Sequence, residues 1–121
     1  MGVAHHTHYF VWFELGRTEL MRALGCPYGE LEDGQGIYFP VVEAGARYVA
    51  SARYDEEIEI VTRLAGASGA RVRFDYDVRR AADGASLASG FTVHASVGRD
   101  GRPTRLDEQL RRRLTGGGAI S

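Results

Sequence analysis

A chain of 121 residues, 44% hydrophobic and 26% charged, has the length and balance of one globular domain with one modest core. A net charge of −1 gives no electrostatic case for nucleic acid or an anionic membrane, and no apolar run approaches the ~20 residues that span a bilayer. All fifteen basic residues are arginine, which excludes lysine Schiff-base chemistry, and a single cysteine, Cys26, excludes an intrachain disulfide and fits a reducing, cytoplasmic compartment.

The first element is a long helix that opens on three histidines, His5, His6 and His8. Thr7 suits its N-cap, and Gly25 followed by Pro27 ends it. Tyr9, Trp12, Phe13, Gly16 and Leu20 share one stripe. Phe10 and Met21 lie off it, and Val11 and Leu15 widen it. So much apolar surface on several faces requires a cover, from a sheet and from a second subunit. The start of the helix presents free N–H groups and the positive end of its dipole, which suits developing negative charge.

A loop through Glu30, Asp33, Gly34 and Gly36 leads to an extended stretch from Tyr38 to Tyr48. Ile58, Ile60, Thr62 and Leu64 then alternate with Glu57, Glu59, Val61 and Arg63. In the clearest strand, Val72, Phe74, Tyr76 and Val78 alternate with Arg71, Arg73, Asp75, Asp77 and Arg79. Asp83-Gly84 marks a hairpin turn. The returning strand places Leu87, Phe91, Val93, Ala95 and Val97 on one, apolar face, with Thr92, His94 and Ser96 on the other. A short helix near Asp107–Leu114 buries Leu106, Leu110 and Leu114. The expected organisation is one domain over residues 1–114 with a flexible tail over 115–121.

Two blocks carry a family resemblance. One is Gly2-Val3-Ala4-His5-His6-Thr7-His8-Tyr9 with Trp12-Phe13-Glu14 and Arg17-Thr18-Glu19. The other runs from Pro40-Val41-Val42-Glu43 through Tyr48 to Ala52-Arg53-Tyr54-Asp55-Glu56. Together they resemble the hot-dog-fold acyl-CoA thioesterases, and within them the 4-hydroxybenzoyl-CoA thioesterase and YbgC-like branch. The resemblance implies an α+β hot-dog fold, with an antiparallel sheet wrapped around one long central helix. It implies hydrolysis of a coenzyme A thioester to a free acid and coenzyme A by a homodimer or tetramer. No metal or prosthetic group is implied; coenzyme A enters as part of the substrate, and neither nucleic acid nor membrane is an expected partner.

The implied site centres on the backbone N–H of His6, which would hold the thioester oxyanion, with Gly2, Val3 and Tyr9 along the substrate. The carboxylate of this branch belongs to an Asp-x-x-Gly motif. Gly2 matches its glycine, so the aspartate would lie two residues ahead of Met1, on a strand that this chain does not contain. The expectation is that Met1 is an internal methionine of a longer reading frame. The alternatives are a substitute carboxylate or an acyl-CoA binder without turnover; a hot-dog hydratase or dehydratase stands third.

Glu14 is the substitute on the helix, but it lies roughly 12 Å along the axis from His6 and can equally pair with Arg17. Arg71 and Arg73 could meet the phosphates of coenzyme A, or form part of a solvated strand face. The spacing of His5, His6 and His8 fits neither a helical pair of ligands nor a strand alternation of all three, so they read as pocket residues rather than a metal site.

Overall fold

The computed structural model describes residues 7–50, 56–116 and 119–120. Helix α1 (Thr7–Ala23) ends as its sequence dictates. Gly25 takes a left-handed φ of 78°, Gly25 N–H donates to the Arg22 carbonyl (3.1 Å), and Cys26 N–H donates to that of Met21 (2.9 Å). These two bonds satisfy carbonyls that the helix itself leaves open. Pro27 starts the short helix α2 (Tyr28–Glu30), which widens into a π-type turn over Leu31–Gln35. The loop expected through Glu30, Asp33 and Gly34 is therefore helical. Leu31 is buried in the core, and Ile37 N–H closes onto its carbonyl at 2.9 Å, so tertiary packing outweighs the turn-forming residues around it.

Five antiparallel strands follow: β1 (Val41–Tyr48), β2 (Ile58–Ser68), β3 (Arg71–Arg80), β4 (Ser86–Ala95) and β5 (Ala119–Ile120). Their spatial order is β1-β4-β3-β2-β5. The turn between β3 and β4 forms at Asp83-Gly84, where Gly84 has a φ of 73° and Asp83 Oδ1 accepts from Ala85 N–H at 3.0 Å. Helix α3 (Glu108–Gly116) begins after Asp107, whose Oδ1 accepts from Leu110 N–H at 2.7 Å, and it buries Leu110 and Leu114. Beyond it, β5 pairs with Thr62 and Arg63 of β2.

The sheet presents its inner face to α1, in the α+β hot-dog arrangement. Phe13 is wholly buried and stacks on Tyr76, with ring centroids 4.4 Å apart and an interplanar angle of 11°. Gly16 lies against Thr62 and Ile60 of β2, so the helix backbone crosses that strand closely. Leu20 and Met21 continue the buried side, whereas Phe10, Val11 and Leu15 are 41%, 50% and 56% exposed.

The inner face of β3 is the expected one: Val72, Phe74, Tyr76 and Val78 are all buried. The faces of β4 are the reverse of the expected ones. Register sets Thr92 opposite Phe74, His94 opposite Val72 and Gly90 opposite Tyr76, and directly opposed residues share a face. Thr92, His94 and Ser96 are therefore buried, while Phe91, Val93, Ala95 and Val97 are only half-buried on the outer side. Leu87 is inside as expected, because a register shift at Val78/Arg79 lets both Leu87 and Ala88 turn inward. Two interactions offset the apparent penalty. The buried polar groups of Thr92 and His94 hydrogen-bond one another, and Phe91 lays its ring over Gly45, its partner on β1.

Candidate functional site

Helix α1 carries no acidic side chain in its first turn and places Arg22 in its last. Its positive end is thus not neutralised by a carboxylate of its own first turn, and its negative end is complemented. Gly2, Val3, His5 and His6 lie outside the described residues, as do the side chains of His8 and Tyr9. Among the described residues, Glu14 is the first acidic residue of α1, and it is exposed.

Arg17 forms no ion pair with Glu14 among the described residues; the i, i+3 pair on this helix is Glu19–Arg22, at 2.7 Å. Arg17 instead turns inward, beside the phenols of Tyr28 and Tyr76. Burial raises the pKa of both phenols, and the Arg17 charge opposes that rise. The Tyr28 hydroxyl is buried without a hydrogen-bond partner.

From Tyr76 a line of polar groups runs through the core beneath α1. Tyr76 Oη and Thr92 Oγ1 are 2.7 Å apart, Thr92 Oγ1 and His94 Nε2 are 2.9 Å apart, and His94 Nδ1 reaches the Phe39 carbonyl at 2.9 Å. Phe74 meets the imidazole edge to face at 5.5 Å. Burial lowers the pKa of His94, and the Arg17 charge lowers it further, while the bond to Phe39 opposes both. The sequence reading missed this cluster, because alternating Thr92, His94 and Ser96 look like a solvated face. The signal that could have found it is Gly90, whose missing side chain makes room for the Phe13 ring and so marks its face as the inner one.

Arg71 and Arg73 project from the sheet face turned away from α1. Arg73 donates to Asp75 at 3.0 Å and lies 4.4 Å above the Phe91 ring. Asp75 also accepts from Arg63 at 3.0 Å, and these bonds lower its pKa although partial burial opposes them. The structure does not bring these arginines to the face that carries α1. A shallow groove of about 520 Å³ opens on their side, lined by Gly45, Arg47, Arg73, Asp75, Ser89 and Phe91 among others. On the helix side, an open apolar cleft of about 430 Å³ is lined by Leu15, Gly16, Leu20 and Ala23 of α1 and by Ile58, Ile60 and Thr62 of β2. The described residues include no group of three or more His, Cys, Asp or Glu side chains that could hold a metal ion.

Comparison with known proteins adds to this geometry. The chain is 32% identical over 78 residues to YneP of Bacillus subtilis, a match covering 64% of this chain and 56% of that protein. It is 29% identical over 79 residues to the acyl-CoA thioesterase YbgC of Haemophilus influenzae, covering 65% and 58%. The matches thus span less than two thirds of the length of these two relatives. A hypothetical protein from Thermus thermophilus superimposes with a TM-score of 0.88 at 40% identity, covering 96% of this chain and 87% of that one. The DHNA-CoA thioesterase of Staphylococcus aureus superimposes with a TM-score of 0.88 at 28% identity, covering 97% and 80%. Residues 1–114 match the Thioesterase-like superfamily, and the chain belongs to that family.

Proposed function

We propose that this protein hydrolyses coenzyme A thioesters in the cytoplasm, as a member of the 4-hydroxybenzoyl-CoA thioesterase and YbgC-like branch. The observation that carries the reading is the family match over residues 1–114, on a chain whose long helix has no acidic side chain in its first turn. In the proposed reaction the thioester carbonyl lies against the backbone N–H of His6, flanked by Gly2, Val3 and Tyr9. Oxygen attack at the carbonyl carbon moves its π electrons onto the carbonyl oxygen, where fixed N–H dipoles stabilise the charge. Collapse of that intermediate breaks the C–S bond, and the thiolate takes a proton to leave as coenzyme A. A carboxylate activates the water or attacks first. In the branch this chain resembles, that carboxylate is the aspartate of the Asp-x-x-Gly motif whose glycine Gly2 matches. The proposal does not extend to Arg71 and Arg73, whose face is turned away from α1.

A second reading, an acyl-CoA binder without turnover, is favoured by one observation: the first carboxylate among the described residues of α1 is Glu14, two turns inside the helix. A panel of aromatic and straight-chain acyl-CoAs separates the two. Free thiol released catalytically supports hydrolysis. Retention of acyl-CoA with no thiol, both by the 121-residue chain and by a form extended upstream in its reading frame, supports the binder. Hydration of an enoyl-CoA would favour a hydratase over both.

A further inference from the structure

The buried line from Tyr76 to Phe39 has a direction that its atoms dictate. The Phe39 carbonyl can only accept, so His94 Nδ1 carries the proton and donates to it. In a neutral imidazole the other nitrogen, Nε2, is then bare, and the Thr92 hydroxyl must donate to it. Thr92 Oγ1 in turn accepts from the Tyr76 hydroxyl, leaving the phenol's lone pairs toward Arg17, which has only donors. Every group is satisfied in one orientation.

Adding a proton to His94 reverses the line. Nε2–H then donates to Thr92, Thr92 donates to Tyr76, and the phenol proton is driven toward the Arg17 guanidinium with no acceptor. Two cations also come to share one buried region. Among the described residues, the charge acting on His94 is that of Arg17 from α1, and Tyr76 of β3 reaches it through Thr92; β1 sets Val41 opposite it. Among the described residues no carboxylate acts on His94.

We propose that Tyr76, Thr92 and His94 form an acid-sensitive latch, closed only while His94 is neutral, that ties the sheet beneath α1 to the segment entering β1. It spans the fold because Tyr76 also carries the stacked Phe13 of α1, while Phe39 leads directly into β1. The sign follows from the direction of the His94 shift. Above the ordinary histidine pKa of 6.5 the residue is neutral in both folded and unfolded chains and contributes no pH dependence. Below it the unfolded chain takes up a proton that the folded chain refuses, so acidification favours unfolding. The latch rests on this hydrogen-bond geometry, with the direction of the His94 shift giving its sign, and does not depend on the thioesterase reading.

Two measurements test it. Nitrogen-resolved NMR of the unaltered protein at pH 7 is expected to show one histidine as the Nδ1–H tautomer, the minor form of free imidazole, and to show it taking up its proton at lower pH than a free imidazole does. Comparison with His94→Gln, which keeps a donor and an acceptor but does not titrate, assigns that signal. Urea unfolding at pH 7 and pH 5 is expected to show the folding constant of the unaltered protein falling further than that of His94→Gln, by up to roughly 20-fold. An Nε2–H tautomer or an imidazolium at position 94 at pH 7 would overturn the latch, as would equal acid responses in the two proteins. If His94→Gln does not fold, the tautomer of the unaltered protein decides: a lone buried Nδ1–H signal supports the latch and its absence rejects it.

Discussion

Gly90 shows how much a single hydrogen atom decides at the centre of this fold. A Cβ there would meet the Phe13 ring at 2.5 Å and the Gly45 carbonyl at 2.6 Å, and the second contact is backbone that cannot rotate away. Gly90→Ala is therefore expected to destabilise the protein by about 2–3 kcal/mol in urea unfolding. Gly66 is the control, since a Cβ there meets nothing within 4 Å; Gly66→Ala is expected to change stability by less than about 1 kcal/mol. Equal losses at the two sites would remove the steric account of Gly90. At this scale the sequence was partly legible. Gly16 and Phe13 fell on the stripe that meets the sheet, because helical spacing reports which residues share a face. The roles of Arg17 and His94 were not legible. Each depends on partners far away in the chain, Tyr28 and Tyr76 for one and Phe39 for the other.

At the scale of elements, alternation of charge with large apolar residues located β3, and the Asp-Gly turn located its hairpin with β4. The faces of β4 were misread because its inner face carries Thr92 and His94, polar residues that alternation alone reads as solvent-facing. Only the cross-strand register decides between them, and register is a property of the pair. The helical stretch after Pro27 was missed for a related reason: Gly29, Glu30, Asp33 and Gly34 favour turns locally, but burial of Leu31 and Ile37 anchors the segment. Helix α3 was legible through its leucines, and its cap gives a test. Asp107→Ala removes the acceptor for Leu110 N–H and should cost about 1 kcal/mol, whereas Asp107→Ser should restore most of it. Indistinguishable stabilities for the two variants would mean that Leu106, Leu110 and Leu114 hold the helix without the cap.

Across the whole molecule, the buried side of α1 is accounted for by β2, β3 and, at Gly90, β4, while Phe10, Val11 and Leu15 keep large exposed areas. An apolar flank of this kind beside an open cleft argues for further burial by a second copy of the chain. Sedimentation at micromolar concentration is expected to give a dimer or tetramer, and Leu15→Glu is expected to shift it toward monomer. A stable monomer of the unaltered protein would contradict the proposed assembly. The fold class was legible because a long apolar helix followed by antiparallel strands has few compact solutions. The proposed catalytic centre rests on family resemblance alone, since backbone N–H groups leave no signature in side-chain sequence.

In the proposed reaction, a backbone group at the start of α1 stabilises the oxyanion of a thioester. The direct measurement is the rate of acyl-CoA hydrolysis by His6→Ala and His6→Pro proteins shown to be folded and assembled, in whichever form of the chain turns substrate over. His6→Ala keeps the N–H and should retain much of the activity. His6→Pro removes the donor and should lose about two orders of magnitude or more, corresponding to roughly 3 kcal/mol in the barrier. A folded His6→Pro protein with undiminished hydrolysis would contradict the account, and abolition by His6→Ala alone would assign the chemistry to the imidazole instead.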